Sequence, residues 1–438
     1  MEFHHTRSVA RRRCGRGFGW LLVISLLTTL SSGAQAEEYS GSAGLGADDD
    51  IPPRQALEEA VADARLRLGV LRVRPWAGLR DLSVVSGDGP DVDDDVTLTV
   101  GAGAFGYVRF GARALLALHA LPEYVWWADD EDRRQLNGRY GAGLFGTFGR
   151  ARIELSQRWQ TQQGLFSPEI QRLTSQETRT SKVAAVVELS ARVGLIARAS
   201  RVSSLSQDDG DARFEQLDRD ADRVGVGVRL TPRSDWQIDL VASRSTVEFD
   251  QGARLLDFED DILGLAVRFD GNRFGATLRL QQHDAEAEAG SVFAGFDELT
   301  GRFETRWDLR KAVQLTTSVR RDFGFVVSDA FSHLRSTRYG VSLTAQRASF
   351  AIGALIETGE DRYVRRLGAA AGPSRQDDVT SFSVRAGVPL GRIVSIALNA
   401  THTMYEPDGA FGIDRDITTV GVSIGRAARP RAPRTTSR

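Results

Sequence analysis

Apolar and polar residues alternate one by one along most of this chain. In the stretch DRVGVGVRLTPRSDWQIDLVASRS at 222–245, every second residue from Val224 to Leu230 is apolar, and the pattern resumes from Trp236 to Ala242. A period of two residues predicts two β-strands joined by the tight turn TPRSD. The other face of these strands carries glycine and charged residues, so the fold depends on which face points inward.

The same alternation continues from Leu71 to Ile424 and predicts about 18 strands, with about 16 as the alternative count. The connections alternate strictly between short turns, such as FGRA, TPRSD and PLGR, and long polar loops, such as SGDGPDVDD and QQGLFSPEIQRLTSQETR. Short turns at one end and long loops at the other are typical of outer-membrane barrels. The predicted fold is therefore all-β: a transmembrane antiparallel up-and-down β-barrel with short periplasmic turns and long extracellular loops. A soluble propeller or solenoid is disfavoured because no fixed repeat occurs.

The N-terminal region predicts export. A basic stretch RRRCGRG, the apolar run FGWLLVISLLTTL and the small-residue site GAQA predict a signal peptide at 1–36 that is cleaved after Ala36. Residues 37–68 are expected to form a periplasmic leader with one short helix, from PRQALEEAVADARL at 53–66. The barrel is expected at 69–426, followed by a disordered basic tail at 427–438.

The polar face of the strands carries many arginines at mid-strand positions. In a membrane barrel the apolar face contacts lipid and the other face lines the lumen, and a barrel of about 18 strands leaves an aqueous lumen. Twelve arginines are therefore predicted to line it: Arg139, Arg152, Arg158, Arg198, Arg229, Arg268, Arg279, Arg302, Arg306, Arg320, Arg338 and Arg385. They either pair with carboxylates and stiffen the wall, or remain in excess and make the lumen attractive to anions.

Aromatic residues and aspartates suggest where the membrane boundaries lie. Aromatic residues near strand ends are candidates for the two interfacial girdles, although aromatic residues also simply favour strands. These candidates are Trp126, Trp127, Trp159, Trp236, Trp307, Tyr107, Tyr124, Tyr140, Tyr339 and Phe148. The Asp-rich loops are either solvated surface or points where divalent cations bridge to lipopolysaccharide.

The sequence contains no motif that predicts catalysis. The motifs HExxH and GxSxG and the phosphate-binding P-loop are absent, and GAGAFG lies in a strand pattern without a following helix. His283 is followed by Asp284, which could suggest a protease-like site, but an isolated histidine of the lumen or rim is the favoured interpretation. The chain is therefore predicted not to be an enzyme, with no cofactor and no metal site. The net charge of −2 does not favour nucleic acid as a partner.

The segment LRVRPWAGLRDLSVVSGDGPDVDDDVTLTVGAGAFGYVRF and the strand after it resemble the opening of the beta-barrel porins found in exopolysaccharide gene clusters. The residues that carry the resemblance are Arg74, Pro75, Gly78, Arg80, Gly101, Tyr124 and Trp126. The resemblance implies passage of a secreted polysaccharide through the outer membrane, with a periplasmic polysaccharide-export protein as partner. An arginine-rich lumen is also similar to that of the alginate export porin.

Three functions follow as hypotheses. The first is an outer-membrane porin that conducts a secreted anionic polysaccharide through a hydrated lumen, gated by the long loops at 160–180, 205–220 or 358–378. The second is a general or anion-selective diffusion porin for small solutes. The third is a structural surface barrel that does not conduct. Each implies outer-membrane lipid, lipopolysaccharide and the barrel-assembly machinery as partners.

Overall fold

The computed structural model describes residues 54–87, 94–167, 170–207, 215–216, 218–250, 256–310, 312–326, 330–347, 349–368, 374–390, 394–408 and 414–426. Its regular elements are the helix α1 (Arg54–Asp63), a 3₁₀ turn at Glu131–Arg133 and the following strands: β1 (Leu66–Leu68), β2 (Leu71–Ser86), β3 (Asp95–Phe110), β4 (Ala114–Trp127), β5 (Gln135–Phe148), β6 (Ala151–Ser167), β7 (Ile170–Glu188), β8 (Val193–Ser206), β9 (Arg219–Leu230), β10 (Trp236–Phe249), β11 (Phe258–Asp270), β12 (Phe274–Ala287), β13 (Phe296–Arg310), β14 (Val313–Phe325), β15 (Phe331–Gln346), β16 (Ala351–Arg365), β17 (Gln376–Leu390), β18 (Val394–Asp408) and β19 (Arg415–Arg426). The predicted signal peptide at 1–36, the first part of the leader and the tail at 427–438 lie outside the described residues.

The long strands β2 to β19 form a closed barrel. Each strand pairs antiparallel with the next along the chain, and β19 returns to β2 with Val420 opposite Val84. Closure leaves no strand edge unpaired, which a barrel in lipid requires because no water is present there to satisfy backbone groups. The 18-strand antiparallel barrel predicted from the alternation is confirmed. Among the described residues, no helix is long and apolar enough to cross a membrane.

The turns at one end of the barrel are tight. Gly111 follows β3 and Gly149 follows β5, with φ angles of 63° and 62°. Glycine adopts this left-handed conformation without a steric penalty, so the FG dipeptides of RFGAR and FGRA reverse the chain within a few residues. We call this the short-turn end of the barrel, and the opposite end the long-loop end.

The barrel wall exposes apolar side chains on its outer face and buries polar side chains on its inner face, the reverse of a soluble protein. Valine and leucine side chains on the outer face are largely exposed: Val224 is 63% exposed and Leu263 is 62% exposed. On the inner face, Ser245, Asp260 and Asp361 are completely buried. An apolar surface of this extent around a polar interior needs a lipid environment to cover it.

The strands extend further toward the long-loop end than the sequence pattern predicted. The segment 162–179 was expected to be a loop, but β6 and β7 continue through it as a hairpin, with Leu165 opposite Leu173. Likewise β16 runs to Arg365 and β17 begins at Gln376. Sequence periodicity misses these extensions because the regular alternation of apolar and polar residues breaks down in them. The gating loop predicted at 160–180 is therefore wrong for its described part.

Most of the aromatic residues predicted for the girdles lie on the outer face, but two do not. Trp159, Trp236 and Trp307 are 46%, 38% and 46% exposed on the outer face. Trp127 and Tyr107 instead point into the barrel and are buried. Side chains alternate between the two faces of a strand. Trp127 lies on the same face of β4 as the buried Glu123, and Tyr107 lies on the same face of β3 as the buried Thr97, so both point inward.

Helix α1 lies inside the barrel at the short-turn end. Val61 of this helix and Ala64, which follows it, are buried against Tyr107 of β3 and Leu115 of β4. Immediately after the helix, β1 pairs with the start of β2, with Leu66 opposite Val73. The short helix predicted in the leader packs on the inner wall, because the interior is wide enough to admit it.

Candidate functional site inside the barrel

The strand registers place all twelve predicted arginines on the inner face of the wall. Residues an even number of positions apart share a face of a strand, and directly opposed residues of neighbouring strands share a face of the sheet. By these criteria the arginines lie on the face of the buried polar residues. For example, Arg229 is opposite Asp239, and Arg268 is opposite Gln237. Their contact with a permeating solute stays a prediction. Because the arginines come from ten different strands, the wall carries positive charge around much of its circumference.

Four of these arginines form a continuous row across four neighbouring strands. Arg279 of β12 is directly opposite Arg302 of β13, which is opposite Arg320 of β14, which is opposite Arg338 of β15. Directly opposed residues have Cα atoms only about 4.5–5.5 Å apart. Like charges at this spacing repel each other, so the row requires compensating carboxylates or water. We call this set the arginine row.

Carboxylates compensate three members of the arginine row. Arg338 donates to both oxygens of Asp361 at 2.8 Å. Arg302 donates to Glu304 at 2.9 Å, and Arg320 lies 3.2 Å from Asp322. The expectation that many inner arginines pair with carboxylates and brace the wall agrees with these contacts.

Two predicted arginines lack such a partner. Among the described residues, Arg279 and Arg306 have no carboxylate within 4.0 Å, and the buried Nε of Arg306 has no hydrogen-bond partner. Both lie on the inner face of β12 and β13, between the short-turn end and the middle of the barrel. Positive charge without an adjacent carboxylate attracts mobile anions most strongly.

The remaining paired arginines brace other parts of the wall. Glu123 is 1% exposed and accepts from Arg80 at 2.8 Å and from Arg139 at 3.0 Å. Two further pairs join neighbouring strands, Arg229 with Asp239 at 2.6 Å and Arg152 with Glu188 at 3.5 Å. Along β11, Arg268 lies 3.7 Å from Asp270. Arg158, Arg198 and Arg385 lie on the same inner face of β6, β8 and β17.

An aromatic cluster fills part of the interior at the long-loop end. Phe258 of β11 stacks on Phe293 with ring centroids 4.3 Å apart, and both are completely buried. Phe249 of β10 meets Phe325 of β14 at 5.1 Å, and the guanidinium of Arg219 of β9 lies 4.9 Å from the Phe325 ring centroid. Since β10 and β14 are not neighbours in the ring, the cluster spans part of the interior. It narrows the barrel at that end.

His283 belongs to a buried chain of hydrogen bonds next to this cluster. Its Nδ1 lies 2.7 Å from Asp260 and its Nε2 lies 2.8 Å from the hydroxyl of Thr300. The sequence neighbour Asp284 lies on the opposite, outer face of the same strand. An Asp–His–Thr chain resembles a catalytic triad, but His283 is 1% exposed and Asp260 is 0% exposed. A substrate cannot reach these buried groups. The hydrogen bonds instead link β11, β12 and β13.

Sequence reasoning missed a second charged centre at the long-loop end. Asp377 of β17 is completely buried and accepts from Arg375 at 2.7 Å, from Arg415 at 2.9 Å and from the hydroxyl of Tyr363 at 3.2 Å. This part of the chain was interpreted as a loop because its polar residues hide the alternation. The residues at 375, 377 and 379 continue the period of β17 and are the signal that could have located it.

One loop carboxyl at the same end has a perturbed pKa. Burial raises the pKa of Asp218, in the connection between β8 and β9, to about 6, and the backbone N–H of Ser206 partly opposes this by donating to it. The described residues contain no group of three or more His, Cys, Asp or Glu side chains arranged to hold a metal ion.

The fold is that of outer-membrane porins. The chain is similar to the outer membrane protein OpdK of Pseudomonas aeruginosa, with 12% identity, 80% of this chain and 97% of that chain covered, and a TM-score of 0.50. It is also similar to OccK9 (OpdG) of the same organism, with 11% identity, coverage of 81% and 98%, and a TM-score of 0.49. No protein-family model and no curated protein matches the sequence. These identities are low, so the likeness concerns the fold alone.

Proposed function

We propose that this chain is an outer-membrane channel for small hydrophilic solutes and that it favours anions. The observation that carries the proposal is the arrangement of the wall: an exposed apolar outer face surrounds an inner face with the arginine row and with Arg279 and Arg306 free of adjacent carboxylates. The porin fold supports the same assignment. With the short-turn end in the periplasm, the long-loop end faces the cell exterior.

Passage of a polysaccharide, expected from the family resemblance, is less well supported than passage of small solutes. A polymer needs a conduit that stays wide over its whole length, whereas Phe249 and Phe325 meet across part of the long-loop end. A small solute needs only the space that remains beside this aromatic cluster. We therefore place the small-solute hypothesis first.

The experiment is a measurement of ion selectivity in planar lipid bilayers under a salt gradient. The wild-type chain is expected to conduct and to show a reversal potential on the anion-selective side. Neutralising Arg279→Gln and Arg306→Gln together removes two charges and is expected to lower the anion-to-cation permeability ratio about five- to thirtyfold at low salt, and less where salt screens the charges. A unit charge at roughly 4–8 Å from a passing ion in water contributes about 0.5–1 kcal/mol.

The matched control is Arg201→Gln, which removes an arginine from the outer face. Arg201 pairs with Asp220 at 2.5 Å and is 60% exposed, so its removal should leave the reversal potential unchanged. A permeability ratio that stays the same in the double variant would contradict the assignment of these arginines. A wild-type chain that inserts without conducting would contradict the channel itself and favour a structural barrel.

A further inference from the structure

Helix α1 occupies space in the lumen that a permeating solute would otherwise use. Val61 is 1% exposed and Ala64 is 2% exposed, because both pack on the inner-face residues Tyr107 and Leu115. Leu57 and Ala60 complete the apolar side of the helix against the same wall. The helix therefore lies against β3 and β4 at the short-turn end, within the barrel.

The opposite side of α1 is acidic. Glu58 and Glu59 are exposed, and the helix sequence RQALEEAVAD carries three carboxylates and one arginine. The wall around it is basic: Arg74 lies over the ring of Phe105 at 4.3 Å, next to the apolar contact of the helix. An acidic surface placed in a basic lumen competes with mobile anions for the same positive potential.

A strand pairing holds the end of α1 that leads into the barrel wall. Immediately after the helix, β1 pairs with β2, and Gly69 makes the turn between them with a φ of 62°. The helix itself has ten residues, and isolated helices shorter than about 12–15 residues are marginal in water. Contact of Leu57, Ala60 and Val61 with the wall therefore stabilises the helix.

We propose that α1 is a built-in gate of the channel: docked, it narrows the short-turn end and places its acidic side in the lumen; undocked, it opens the lumen to anions. This inference rests on the proposed function, since a gate requires a conducting barrel. After side chains are placed, 18 tilted strands leave a lumen about 25 Å wide. A helix about 10 Å across covers roughly one sixth of the cross-sectional area of that lumen. Undocking then raises conductance about 1.2-fold or more, because other inner side chains already take up space.

The test compares two variants that add the same charge to α1. Val61→Asp puts a carboxylate into the buried contact and is expected to undock the helix, raise single-channel conductance by at least about 1.2-fold, and raise anion selectivity. Ala62→Asp adds the same charge on the exposed side and is expected to keep the wild-type conductance. Equal conductance in Val61→Asp and the wild type would overturn the proposal.

A reversible crosslink tests the gate without a destabilising charge. In a Cys14→Ser background, the pair Val61→Cys and Leu115→Cys joins two residues of one packed cluster. The oxidised channel is expected to hold the low conductance, and reduction is expected to raise it. The proposal would be overturned if the two cysteines did not form a disulfide, or if the conductance were the same before and after reduction.

These outcomes separate the gate from the channel. A wild type that conducts anions while both sets of variants leave conductance unchanged contradicts the gate alone. A wild type that does not conduct, or that prefers cations, contradicts the proposed function and the gate together.

Discussion

Breaking the buried pair between Arg338 and Asp361 should cost the barrel much of its stability. Asp361 is 0% exposed and its carboxylate accepts two hydrogen bonds of 2.8 Å from Arg338, which also donates to the backbone oxygen of Glu360 at 2.9 Å. Asp361→Asn removes the negative charge and leaves the guanidinium buried. Removal of one partner from such a pair costs about 3–5 kcal/mol, since the remaining charge has lost its compensation.

The measurement is the free energy of unfolding from denaturant titration in lipid vesicles, followed by tryptophan fluorescence. The double variant Arg338→Met with Asp361→Leu should recover most of the loss, because a well-packed apolar pair replaces the ion pair at little net cost. The matched control is Glu304→Gln, where Arg302 and Glu304 are each 40% exposed on the same inner wall. That change should cost less than about 1 kcal/mol. A loss below about 1 kcal/mol for Asp361→Asn would refute the reasoning.

Three further predictions concern packing and pH. Phe258→Ala should lower the free energy of unfolding by about 3–5 kcal/mol, because Phe258 is fully buried and stacks on Phe293; unchanged denaturant midpoints would contradict this. Gly359→Ala should lower the free energy of unfolding by about 1–3 kcal/mol in the same titration, because the added Cβ would lie 1.8 Å from a backbone oxygen of β15. The control Gly425→Ala should leave the free energy of unfolding unchanged, because its Cβ would meet no atom within 4 Å. The pKa of Asp218 is raised from 3.8 to about 6, so the folded state binds the proton more tightly. Its contribution to stability should therefore fall as pH rises from 4 to 6, and Asp218→Asn should flatten that dependence, which titrations at several pH values would check.

The family resemblance and the structure agree on the class of fold, and the proposed function differs from the one that the resemblance implies. The residues that carry the resemblance lie in β2, β3 and β4, where any barrel strand needs similar alternation and aromatic ends. Such residues specify a wall, and they carry little information about what passes through it. The aromatic cluster, on which the preference for small solutes rests, comes from the region of β10 to β14, far along the chain.

Several pairings on the inner wall were outside the reach of sequence reasoning. The sequence indicated that Arg302, Arg320 and Arg338 share the inner face, but it could not show that they are direct neighbours. That depends on the register between strands, and a shift of one residue in pairing would move each side chain to the opposite face. The partner of His283 is a similar case: the adjacent Asp284 lies on the outer face, and Asp260 from the neighbouring strand makes the contact.

The sequence by itself determined the pattern of strands, their approximate number, the tight turns and the identity of the two faces. A period of two residues is a local property of each strand, and a closed barrel in lipid follows once every strand has one apolar face. Only the tertiary structure decided the contacts that reach across the interior, such as Phe249 with Phe325 and α1 against β3 and β4. These contacts depend on how the closed sheet curves and staggers, which sets the distance between strands that are not neighbours.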